Sequence, residues 1–237
     1  MRTSPASRLG FGGISLERLF ILAGAVAMSH SAMGMIIPLM PMFIGELGGT
    51  AVAVGLAFSI QSGARFLTNI PAGILAERLG RKWVIAGGSV LVGLFASLSG
   101  TAPLIVLFLG CRFASGIGSA MVQTASSVAI TDLTTVDNRG RALGLIHGVQ
   151  LITGILSPAI GGLLAEFVDI RAPFFVSGIG SMLFGIWAIV RLPETRPTRT
   201  NMNANQNGLS RTSSADGIRR AISLLAGPSF FLACMLA

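Results

Sequence analysis

Apolar residues along the chain gather in long charge-poor stretches, each about the 20 residues that a membrane-crossing helix needs. Six are complete. The first runs from Leu19 to Ile44, between Arg18 and Glu46, and the second from about Ala51 to Ala76. The third, Trp83 to Leu98, is ended by Gly100 and Pro103, and the fourth spans Leu104 to Ile130. A polar loop, Thr131 to Arg141, leads to the fifth, Ala142 to Ala165, and the sixth spans Pro173 to Val190. This pattern predicts a polar N-terminus over 1–18, a six-helix domain over 19–192, a linker over 193–220 and the start of a seventh span over 221–237. The linker is rich in Asn, Ser, Thr and Arg without apolar periodicity, which reads as flexible. Leu19 to Ala27 alone has the length of a secretory signal's apolar core, but the run continues to Ile44 and is too long for one.

Composition fixes the class. The chain is 52% hydrophobic and 11% charged, with a mean hydropathy of +0.77, so it cannot cover a soluble surface. An all-α membrane protein, a transmembrane helix bundle, is expected. Orientation follows from the basic residues. Arg2, Arg8 and Arg18, then Arg78, Arg81 and Lys82, then Arg139 and Arg141, then the linker arginines all fall on one side of six spans, and Arg171 on the other. By the positive-inside rule a multi-pass protein of the cell membrane with a cytoplasmic N-terminus is expected. The net charge of +8 then reflects topology and contact with anionic lipid, not nucleic acid. Cys111 and Cys234 both lie in apolar runs, so neither a disulfide nor a Cys-based metal site is indicated.

Inside the spans, polar residues align. At about 100° per residue, the fourth span stacks Arg112, Ser115, Gly116, Ser119, Gln123 and Ser126 in one stripe. The second aligns Gln61, Ser62, Arg65, Thr68 and Asn69, and the fifth His147, Gln150, Gly154, Pro158 and Gly161. The first adds Ser29, His30 and Ser31, with Pro38 and Pro41 beyond, where freed carbonyls could line a cavity. The third and sixth spans hold only scattered Ser and Gly and are expected to face lipid. An Arg in a span costs about 2.5–3.5 kcal/mol on insertion scales, so Arg65 and Arg112 are expected to face a cavity or a partner. The structural alternative for each is an Arg bonded to helix carbonyls. His30 and His147 carry the side-chain type best suited to moving protons near neutral pH, but a hydrogen-bonded packing role is the favoured reading for both. No carboxylate lies deep in the six spans.

"PAGILAERLGRK", Pro71 to Lys82, marks a short turn between the second and third spans and packs four charges into six residues. Gly73, Leu75, Ala76, Glu77, Arg78, Gly80, Arg81 and Lys82 resemble the G-x-L-A-D-R-x-G-R-K signature of major facilitator superfamily transporters, with Glu77 in place of the usual Asp. The resemblance implies a cytoplasmic latch, with Glu77 beside a helix N-terminus of an opposite half and Arg81 paired with Asp132. "RFASGIGSA" resembles the superfamily's fourth-helix pattern, an Arg (Arg112) followed by Gly116 and Gly118, which implies a part for Arg112 in proton or substrate coupling. "GVQLITGILSPAIGG" resembles the fifth-helix pattern of its antiporters through Gly154, Pro158, Gly161 and Gly162, with Ser157 where a Gly is usual. "LPET", Leu192 to Thr195, is also similar to the family.

The resemblance implies a secondary active transporter, favoured as a proton-coupled efflux antiporter of multidrug type working by alternating access. Its partners would be a small-molecule substrate, protons and membrane lipid, with Arg65, Arg112, His30, Gln61, Asn69, Ser119 and Gln123 as cavity or coupling residues. The alternatives are an organic-anion or sugar/metabolite transporter, with Arg65 and Arg112 sharing one cavity, and a non-transporting or inactive half. No cofactor or metal is implied, and no nucleophile and base pair or phosphate-cradling loop suggests an enzyme. Because the superfamily builds its path between two six-helix halves, the stripes need covering. A C-terminal half, in a chain of which this is the first part, is the expected cover, and a second copy is the alternative.

Overall fold

A computed structural model describes residues 16–134 and 136–191, and every element among them is a helix. The expected N-terminal segment up to residue 15, the linker and the start of a seventh span lie outside the described residues. The first span is α1 (Leu16–Ile36), a 3-10 turn (Ile37–Leu39) and α2 (Met40–Glu46). Pro38 and Pro41 each fall in the first positions after a break, where a missing N–H removes no helical bond. The other spans are α3 (Ala51–Leu79), α4 (Arg81–Gly100), α5 (Ile105–Leu133), α6 (Val136–Phe167) and α7 (Ala172–Arg191). Six helices among the described residues are long and apolar enough to cross a membrane.

The helices overrun their apolar stretches. The loop expected over Thr131 to Arg141 is mostly helix, since α5 continues to Leu133 and α6 begins at Val136. Beyond the hydrocarbon, water can solvate the side chains while the backbone keeps its helical bonds. The carbonyls freed at the end of α5 are taken up by Thr134, whose Oγ1 donates to Ile130 O at 2.7 Å, and by Arg139, whose Nη2 donates to Thr131 O at 3.1 Å. Only Gly80 separates α3 from α4, and its φ of 102° lies where an L side chain is strained.

Glycine and serine set the packing. α4 lies between α5 and α7. A Cβ on Gly88 would stand 2.7 Å from Gly118 O, and one on Gly118 2.7 Å from Gly88 O. On the other flank, Gly93 of α4 and Gly178 of α7 meet in the same reciprocal way. Helices in lipid gain no hydrophobic drive to associate, and small residues let their backbones come close enough for van der Waals contact. The scattered Ser and Gly of the third and sixth spans are therefore a packing seam. Their outward faces are apolar, with Val176, Ile179, Leu183, Ile186 and Val190 exposed on α7.

The coverage of the helices is uneven. Of the central apolar stretch, 56% is buried in α4, against 17% in α3 and 11% in α6. The uncovered faces are apolar, with Phe66, Leu67 and Ile70 exposed on α3 and Leu151, Ile152 and Ile155 on α6.

Candidate functional site

Polar side chains from three helices converge on one cleft. Ser29, His30 and Met33 come from α1, Gln61 and Arg65 from α3, and Ser115, Ser119 and Gln123 from α5. The cleft is narrow, about 10 Å³, or room for one water-sized group. Helical spacing explains the set: Ser29 and Met33, Gln61 and Arg65, and Ser115, Ser119 and Gln123 each recur at four-residue intervals and share a helix face. Gly116 brings α5 onto α3, because a Cβ there would stand 2.5 Å from Gln61 O and 2.9 Å from Ala64 Cβ.

Two polar atoms in the wall, Ser29 Oγ and Gln61 Oε1, are buried without a hydrogen-bond partner. Arg65 is half-buried, and the contact its guanidinium makes is from Nη1 to Met33 Sδ at 3.8 Å. Among the described residues the cleft holds no carboxylate.

A second, roomier recess of about 420 Å³ opens beside the cleft, lined by His30, His147, Gln150, Leu151, Gly154 and Ile155. His30 borders both cavities. A polar chain ties the recess to α5: His147 Nδ1 donates to Gln150 Oε1 at 2.9 Å, and Gln150 Nε2 donates to Gln123 Oε1 at 2.6 Å. Thus the structure places His30, Gln61, Arg65, Ser119 and Gln123 around one cleft.

It does not bring in Arg112 or Asn69. Asn69 is exposed, accepting a hydrogen bond from Thr124 Oγ1 at 3.4 Å. Arg112 is 1% exposed and turned away from the cleft. Its Nη2 donates to Ser99 Oγ of α4 at 3.1 Å, and its guanidinium carbon lies 5.1 Å from the Phe108 ring centre and 5.6 Å from that of Phe174. Side chains in a helix lean toward its N-terminus, which carries Arg112 over Phe108, four residues earlier. The expectation that Arg65 and Arg112 share one cavity is therefore corrected. Pro38 and Pro41 also lie outside the cleft.

At the far end of the bundle, Arg81 Nη2 and Asp132 Oδ2 form an ion pair at 2.7 Å. Arg81 is the first residue of α4 and Asp132 stands in the last turn of α5. Each charge is unfavourable at the end of its own helix and favourable at the end of its partner's. Glu77, Arg78 and Lys82 surround this pair in sequence; Glu77 and Arg78 are exposed and Lys82 is half-buried. Gly73 packs toward Thr124, with 3.8 Å between a Cβ placed on it and Thr124 Cγ2.

The fifth-helix glycines divide into two roles. Gly161 is pressed against the α1 backbone, where a Cβ would lie 2.8 Å from Met35 Cα and closer still to Met35 O. A Cβ on Gly162 would meet nothing within 4 Å. One on Gly154 would meet His30 Nε2 at 3.9 Å. Ser157, where the antiporter pattern has Gly, fits because the residue facing it across α1 is Gly34, whose Cβ would collide with Ser157 Oγ. The space that the pattern places on α6 has moved to α1.

The sequence model of the Major Facilitator Superfamily matches residues 22–237. The chain belongs to this superfamily. It is 29% identical over 195 residues to Multidrug resistance protein 1 of Bacillus subtilis (strain 168), covering 81% of this chain and 50% of that protein. It is 24% identical over 185 residues to Quinolone resistance protein NorA of Staphylococcus aureus, covering 78% of this chain and 47% of that one. A solved bacterial homologue of the human lysosomal transporter Spinster, inward-facing and occupied, superposes with a TM-score of 0.68 at 18% identity, over 76% of this chain and 44% of that chain. The chain spans about half the length of the curated relatives it matches.

Within this superfamily chain the phenylalanine cage around Arg112 was not foreseen from sequence. Phe43, Phe108 and Phe174 pack with ring centres 5.0–6.4 Å apart. They come from α2, α5 and α7, and the spacing of Phe108 to Arg112 was the one local signal. Ser29, Ser115 and Met33 belong to the cleft for the same helical-spacing reason as the residues singled out.

Proposed function

We propose that this chain forms one six-helix half of a proton-coupled efflux transporter working by alternating access, with the cleft and recess as its contribution to the substrate path. A second six-helix unit covers the open faces of α3 and α6, and the N-terminus and linker lie in the cytoplasm. The observation that carries the reading is the contact of α6 with α1. Gly154, Ser157 and Gly161 meet His30, Gly34 and Met35 across it, so the antiporter-like segment forms one wall of the cavity at which His30 stands. Relatives named for multidrug and quinolone resistance support efflux as the direction. Among the described cleft residues His30 carries the one imidazole, the side-chain type that most often serves as a proton carrier, which suits it to a part in proton coupling. The Arg81–Asp132 pair, at the end of the bundle where basic residues gather, serves as the latch that biases one conformation.

The test is Pro158→Leu. Pro158 lies within α6, and its Cδ would be 3.8 Å from a Cβ on Gly34. The substitution is expected to reduce drug export from intact cells to background while the protein still reaches the membrane. Unchanged export at equal protein level would contradict the reading.

A further inference from the structure

We propose that the cavity takes an amphipathic organic anion, its acidic head group on Arg65 and its apolar body in the adjoining recess. This deepens the transporter reading and rests on it only in taking the cavity as the substrate site.

Three observations carry the proposal. First, Arg65 brings a full positive charge into the membrane interior, where it meets a thioether at 3.8 Å and no carboxylate among the described cleft residues. A charge in this position is costly unless paired, and an intramembrane Arg commonly marks a ligand or ion pathway. Second, the buried Ser29 Oγ and Gln61 Oε1 in the same wall lack hydrogen-bond partners. The Ser29 hydroxyl can donate to an anion, and Gln61 can accept from a hydroxyl or amino group beside it or, with its amide turned over, donate as well. Third, the volumes divide the ligand. The cleft holds about 10 Å³, room for one water-sized group such as a single oxygen of the head group, whereas the recess holds about 420 Å³, within the range of small-molecule pockets. Leu151, Gly154 and Ile155 give the recess its apolar wall, and His30 marks where the two parts meet. A cationic ligand would be repelled by Arg65 with nothing described in the cleft to offset it.

The experiment is binding of pyrenebutyrate, its methyl ester and the matching pyrenebutyl-trimethylammonium to the purified protein in phosphatidylcholine nanodiscs, with empty discs subtracted. The carboxylate is expected to bind about tenfold more tightly than either counterpart, the effect of one charge-assisted pair. Arg65→Gln is expected to remove that preference and Arg65→Lys to keep part of it, with pyrenebutyrate dissociation the quantity compared. Displacement of pyrenebutyrate by phosphatidylglycerol in the discs would assign the anion to a lipid head group; indifference to that lipid would assign it to a soluble acid. Equal binding of the ester or the ammonium compound by the native protein would overturn the proposal, as would an unchanged preference in folded Arg65→Gln. Should Arg65→Gln fail to fold, the comparison of the three probes on the native protein still decides. Because binding is measured, absence of drug export alongside intact anion binding would count against the efflux reading alone.

Discussion

Gly161→Ala is expected to lower the stability of the protein by about 1–2 kcal/mol, while Gly162→Ala is neutral or slightly stabilising. The two glycines are adjacent on α6 and alike in the sequence. Their surroundings differ: a Cβ at 161 overlaps the α1 backbone at Met35, and one at 162 meets nothing within 4 Å. Backbone cannot rotate out of the way as a side chain can, so α1 and α6 must part, and overpacking of this kind costs about 1–3 kcal/mol. Against it stands the gain of Ala over Gly in a helix, about 0.5–1 kcal/mol. The difference leaves a net loss at 161 and a net gain at 162. Thermal unfolding of the two variants in mild detergent, compared with the native protein, reads the sign directly. Equal stability of both variants would mean that α1 and α6 do not meet at Met35.

Asp132→Asn is expected to cost about 1–3 kcal/mol, read by the same unfolding measurement. The size follows from where the pair sits. Exposed ion pairs contribute about 0–1 kcal/mol, whereas removing one partner of a buried pair costs about 3–5 kcal/mol because the other charge is stranded. The Arg81 side chain is 6% exposed and that of Asp132 35%, which places the pair between those limits. Arg81 Nε has no hydrogen-bond partner to take up the loss. The exchanged pair, Arg81→Asp with Asp132→Arg, is expected to recover most of the stability, since the ion pair is restored and each new charge gains at the end of its own helix what it loses at the end of its partner's. An Asp132→Asn variant as stable as the native protein would show that Arg81 is held by something other than this carboxylate.

The six spans were legible because the hydrocarbon requires long apolar runs, and no soluble pattern imitates six of them in succession. Their ends were not, because helices continue into water where hydropathy no longer marks them, as α6 does from Val136. Stripe membership was legible for Gln61, Arg65, Ser119 and Gln123, which line the cleft from α3 and α5. It failed for Arg112, whose long side chain leaves the stripe to reach Ser99 and Phe174. Those partners stand on α4 and α7, and no local spacing announces them. The cage also bears on what Arg112 is for: a buried charge without an anionic partner is poor stabilisation compared with an apolar side chain of similar size, so stability alone does not account for it. In α4 and α7 the information was present as small residues at three- and four-residue spacing, Ser89, Gly93 and Ser97 on one and Gly178, Ser181 and Gly185 on the other. Read as scattered, they were in fact the seam between two helices.

The central claim is that the polar faces of α1, α3, α5 and α6 line a water-accessible path. Single cysteines at Gln123 and Gln150, in a background with Cys111 and Cys234 replaced by alanine, test it through their reaction with a charged, water-soluble methanethiosulfonate in native membranes. Only the thiolate reacts, and it forms where water reaches. Both positions are predicted to label rapidly, and cysteines at Ile179 and Leu183 on the apolar face of α7 to label slowly. Slow labelling at Gln123 and Gln150, equal to that at Ile179 and Leu183, would contradict the account.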